Sequence, residues 1–120
     1  MFIVLVLDAL LKKYGDYMKL SHSEELDVLF RGILLLKDVN DCRAFFDDLC
    51  TLRELEDMSQ RLNVALLLKK GVSYLEISQK TGASSATISR VARCLNYGTG
   101  GYDIAFGRII DSDSLSNNDE

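Results

Sequence analysis

The chain contains no proline, so no residue in it interrupts a helix from within. It has no tryptophan and a single histidine, His22, which leaves no histidine-based metal set. Its three cysteines, Cys42, Cys50 and Cys94, are odd in number and lack CxxC spacing. They read as small buried apolar residues in a reducing compartment rather than as zinc ligands or disulfides. Cys94 keeps a second reading as a redox-sensing thiol. No apolar run reaches the ~20 residues that a bilayer requires. The longest, Met1 to Leu11, is broken by Asp8 and lacks the basic start and small-residue cleavage site of an export signal. No nucleophile–base pair and no phosphate-cradling loop is visible, so an enzyme is not expected.

What is present is apolar and helical in its periodicity. Hydrophobic residues make up 48% of 120, enough for one domain with a core that needs neither metal nor disulfide. Few segments alternate with period two, which favours an all-α fold. The net charge of −4 is unevenly spread: residues 1–50 carry −3, 51–97 carry +3 and 98–120 carry −4. The basic part is modest in charge and would double in a dimer.

Taken in order, residues 1–17 form an apolar extension, either from an upstream start or as a loosely attached helix, and Met18 opens a more polar segment. Ser21 or Ser23 caps a helix over about Glu24 to Leu36, with Leu26, Leu29, Phe30, Ile33 and Leu34 on one stripe. Asn40 or Asp41 caps the next, which ends near Leu49 and carries Phe45 and Phe46. Thr51 and Glu54 make a capping box before a long helix over about Leu52 to Lys70. That helix is apolar on more than one side, so it is central or lies at a subunit interface. Tyr102 to Ile110 reads as a short last helix, and residues 111–120 as a disordered acidic tail.

Residues 73–95 read as a helix-turn-helix. Ser73 and Glu76 form a capping box for a helix to about Lys80. Gly82 supplies the left-handed residue of a sharp turn. Ser84 or Ser85 starts a second helix whose inward stripe is Ile88, Val91, Ala92 and Leu95. Ser84, Ser85, Thr87, Ser89, Arg90 and Arg93 are left on the outer face, a composition that suits an element lying in the DNA major groove.

From Phe45 to Phe106 the chain resembles the tryptophan-repressor superfamily, and within it the YerC/YecD-type branch. The residues that carry the resemblance are FFDDLCT at 45–51, SQRL at 59–62, KGVSYLEIS at 70–78 and TGASSATISRVARCLNYG at 81–98. It implies a TrpR-like fold of about six helices over 18–110 and a homodimer that presents two recognition helices to a pseudo-palindromic operator, with half-sites roughly 34 Å apart. DNA contacts would fall on Gly82, Ala83, Ser84, Ser85, Ala86, Thr87 and Ser89, to which Arg90 and Arg93 are added as basic neighbours, Arg93 as a phosphate contact. Ser85, Ala86 and Thr87 would reach base edges. The resemblance also places an effector pocket at Thr51, Arg61, Arg90, Val91 and Cys94. The first three match the residues that hold tryptophan in that family. Val91 stands where the family has a small glycine, and Cys94 where it has a serine, so tryptophan is not expected there. Another small-molecule corepressor and a filled pocket with ligand-independent binding both stay open, and no other cofactor is implied.

The expectation is therefore a cytoplasmic, nucleoid-associated, sequence-specific DNA-binding transcriptional regulator that acts as a repressor. Its partners are double-stranded DNA and a second copy, with no membrane. The alternative is a protein-interaction module that uses the same fold without binding an operator.

Overall fold

The computed structural model describes residues 2–21 and 23–116, and the side-chain surroundings of residues 2–13 and 23–108. All of its regular structure among these is helical. The elements are α1 (Phe2–Ser21), α2 (Glu24–Leu34), α3 (Val39–Leu49), α4 (Leu52–Lys69), α5 (Tyr74–Thr81), α6 (Ser85–Tyr97) and α7 (Gly101–Ser116). The count is one above the six implied by the resemblance, because residues 2–21 form a helix of their own. That helix continues past Met18 without a break. Among the described residues no helix is long and apolar enough to cross a membrane.

The chain divides into two compact units, residues 1–49 and 50–120. In the first, α2 starts where Ser23 accepts the Leu26 amide, and the C-cap falls at Leu35. The cap of α3 lies earlier than Asn40 or Asp41. Asp38 Oδ1 accepts the Asp41 amide at 2.8 Å, while the Asp41 carboxylate turns back to accept the Lys37 amide at 3.0 Å. An aspartate at 38 can satisfy the first-turn donor directly, so the helix begins as soon as that cap is available. Phe45 and Phe46 meet edge to face with ring centroids 5.4 Å apart. Neither α2 nor α3 contains a fully buried residue. Val28, Phe30, Leu34, Leu35, Val39 and Leu49 remain exposed.

The second unit has a core. Val64 and Ala65 of α4, Ile77 of α5, Ala83 of the following turn, Ile88 and Val91 of α6 and Phe106 of α7 are buried together. Leu66, Leu67, Leu68, Val72, Leu95 and Tyr102 pack around them. Helix α4 is the centre, touching α5, α6 and α7. Only its C-terminal half is used in this way, since Leu52, Met58 and Leu62 nearer its start stay exposed. Thr51 closes the capping box at the start of α4: its hydroxyl accepts the Glu54 amide, and Glu54 accepts the Thr51 amide at 2.8 Å.

Three further features depart from the sequence reading. Ser73 accepts the Glu76 amide, but the box is not completed, because the Glu76 carboxylate pairs with Lys80 at 3.0 Å one turn on. The cysteines are not buried: Cys42 and Cys50 are half-buried and Cys94 is exposed, since Ile88, Val91, Ala92 and Leu95 take the inner side of α6. The last helix does not stop at Ile110 but continues to Ser116. No glycine or proline follows Gly107, so backbone bonds propagate the helix into the acidic stretch. Residues 117–120 of the expected tail lie outside the described residues.

Candidate nucleic-acid interface

The interface is built on the turn between α5 and α6. Helix α5 ends because Gly82 adopts a left-handed conformation, φ 70°, which a side chain would make costly. Its amide closes the helix onto the Ser78 carbonyl at 2.9 Å. Thr81 then spans the corner. Its hydroxyl donates to the Ile77 carbonyl at 2.7 Å and accepts the Ala83 amide at 3.2 Å. Ser78 Oγ donates to the Ala83 carbonyl at 3.0 Å, and Gln60 of α4 donates from Nε2 to the Thr81 carbonyl at 3.1 Å. The turn is thus held by side chains from both the preceding helix and the central one.

Helix α6 begins where Ser84, in an extended conformation, caps the Thr87 amide at 3.2 Å. The same hydroxyl donates to Thr87 Oγ1 at 3.1 Å, leaving the Thr87 proton available to an outside acceptor. The amides of Ser85 and Ala86 have no helical acceptor, because the first turn lacks a preceding one. They lie at the positive end of the helix dipole, a setting that favours anions. Ser84, Ser85, Ala86, Ser89, Arg90 and Arg93 are exposed and Thr87 is half-buried. Among the described residues none of these arginines is in an ion pair; the pairs are Arg53–Asp57, Lys69–Asp103 and Lys80–Glu76. The outer face of α6 therefore offers two unneutralised guanidinium groups beyond a hydroxyl-rich first turn.

Two of the residues expected at the interface have a different place from the rest. Gly82 is exposed but its amide is committed within the turn. Ala83 is only 2% exposed, with its methyl in the core and both its backbone groups bonded. Its part is to seat the turn. The residue that periodicity could not bring into view is Gln60. A glutamine on a half-polar helix face carries no local signal, and its acceptor lies 21 residues away.

The effector set is dispersed in its surroundings. Val91 is 1% exposed and its side chain is part of the buried core. Arg61 is half-buried, while Arg90, Cys94 and Thr51 are exposed. The Thr51 carbonyl accepts the Leu55 amide at 3.1 Å as the first helical bond of α4. A ring placed against α6 at position 91 would have to displace the valine from a close-packed site. An open hollow of about 260 Å³ does exist nearby, lined by Leu68, Lys69, Tyr74, Ala92, Leu95 and Asn96. It shares no residue with the effector set.

Comparison with known proteins agrees with this architecture. The family model described as Trp repressor protein matches residues 24–110. A Bacillus subtilis protein described as uncharacterized protein YerC is 52% identical over 93 residues, covering 78% of this chain and 89% of its own length. A TrpR-like protein from Eubacterium eligens has a solved structure that superposes with a TM-score of 0.71 at 49% identity, over 73% of this chain and 91% of that one. A candidate Trp repressor from Staphylococcus aureus gives 0.73 at 44% identity, over 77% and 92%.

Proposed function

Because the chain belongs to the Trp repressor family, we propose that it is a homodimeric transcriptional repressor that reads a pseudo-palindromic DNA site with α6. The observation that carries this reading is the outer face of that helix: exposed Ser84, Ser85, Ala86 and Ser89 at its start, then Arg90 and Arg93 outside any described ion pair. Free first-turn amides and the helix dipole suit a phosphate, while small side chains let the helix start approach base edges closely. The arginines supply the sequence-independent attraction to the backbone.

Homodimerisation is supported by the distribution of burial. Helices α2 and α3 of the first unit carry apolar stripes but no fully buried residue, so those stripes still call for a cover. In the second unit, the first half of α4 has exposed apolar side chains of its own, Leu52, Met58 and Leu62. A second copy provides the same residue types in a self-complementary arrangement. Binding proceeds without tryptophan, since Val91 occupies the core and Cys94 is a weak hydrogen-bonding partner.

Selection from random duplexes at ~150 mM salt tests the reading. Recovery of an inverted repeat with half-sites about one helical turn apart is expected. Absence of enrichment over non-specific binding, with one stoichiometric protein partner recovered instead, would replace it with an interaction module.

A further inference from the structure

Gln60 reaches out of the central helix to the reading head. Its Nε2 donates to the carbonyl of Thr81, the last residue of α5, at 3.1 Å in a part-buried setting. Among the described residues this is the one side-chain hydrogen bond that joins the helix-turn-helix corner to an element outside α5 and α6. The acceptor is one of the carbonyls that a helix end leaves without a partner, and Gly82 immediately follows it in the left-handed conformation. The rest of the corner is closed from within: Ser78 holds the Ala83 carbonyl, and Thr81 Oγ1 links Ile77 to Ala83. Those bonds set the shape of the corner, but none of them relates it to α4.

Apolar packing of Ile77, Ile88 and Val91 on Val64 and Ala65 is non-directional. It tolerates small rocking of the α5–α6 pair on α4, whereas a hydrogen bond at the corner is directional and resists it. A displacement of about 1 Å at the start of α6 is enough to spoil base contacts that depend on hydrogen-bond geometry. We propose that Gln60 is a positioning residue that locks the orientation of the α6 start relative to α4, so that the reading head is held ready by the protein's own hydrogen bond rather than by a bound effector. This rests on the DNA-reading function above and deepens it by naming the bond that orients the reading helix.

The test uses the full-length protein with Gln60→Leu, which keeps the body of the side chain and removes the donor, and Gln60→Glu, which keeps its shape but at neutral pH only accepts. Asn63→Leu, an exposed position on the same helix, is the control. Two readouts are taken: amide hydrogen exchange at Gly82 and Ala83, and affinity for the selected site and for a scrambled duplex. Both Gln60 variants are expected to speed exchange at the corner while core amides of α4 are unchanged. They lower affinity for the selected site about five- to tenfold with the scrambled duplex unaffected, the loss that one net hydrogen bond implies. The control moves neither. Unchanged exchange, or faster exchange with discrimination retained, overturns the positioning role. Should the wild-type protein select no site, the DNA-reading function fails instead, and exchange alone still decides whether Gln60 holds the corner.

Discussion

Ser84 and Thr87 are bonded twice across the first turn of α6. The Ser84 hydroxyl accepts the Thr87 amide at 3.2 Å and donates to Thr87 Oγ1 at 3.1 Å. The cap of α6 and one of its expected base-contacting side chains are therefore a single unit. A change at position 84 acts on stability and on recognition together.

Ser84→Ala is expected to cost about 1 kcal/mol of stability, as loss of a helix cap does, and to free the Thr87 side chain. Ser84→Asp keeps an acceptor for the amide and so keeps most of that stability, but brings a negative charge to the proposed DNA-facing surface. Urea unfolding should rank the aspartate above the alanine, while duplex affinity should rank them in the opposite order.

Arg93→Ala should weaken binding to all sequences by a similar factor and lower the salt dependence by about one unit, because one phosphate contact is lost. Thr87→Ala should instead relax preference at one base position, at a cost of ~1–3 kcal/mol. Salt titrations on the selected site and on single-base variants separate the two. Equal salt slopes for wild type and Arg93→Ala would remove Arg93 from the interface.

Val91→Ala should destabilise by about 2 kcal/mol, from two lost methyl contacts and the cavity they leave. Calorimetric titration of the wild-type protein with tryptophan should give no saturable heat. A saturable signal would mean that the side chain moves aside, contrary to its 1% exposure in the core.

Leu62→Lys tests the uncovered half of α4. The side chain is 41% exposed in the isolated chain, so a monomer tolerates the charge, whereas burial against a second copy does not. Sedimentation should show dimers for the wild type and a shift to monomers for the variant at micromolar concentration. An unchanged dimer would place the contact elsewhere.

Much of the fold was legible because its signals are local. The Thr51–Glu54 box, the Ser84 cap, the left-handed Gly82 and the stripe of Ile88 and Val91 are each set by residues within four positions of one another. Two departures are also local, and arise where two short-range options compete. Asp38 took the cap expected of Asn40 or Asp41, and Glu76 chose Lys80 over the Ser73 amide. At the C-terminus, acidic composition suggested disorder, yet the absence of a helix breaker let α7 run to Ser116.

By itself, then, the sequence determined helix positions, the corner and the outward composition of α6, since capping and periodicity depend on neighbours along the chain. Only the tertiary structure decided that the cysteines stay out of the core and that Gln60 reaches Thr81. Those facts depend on which helix faces lie against α4, and contacts between residues far apart in the chain leave no periodic trace in it.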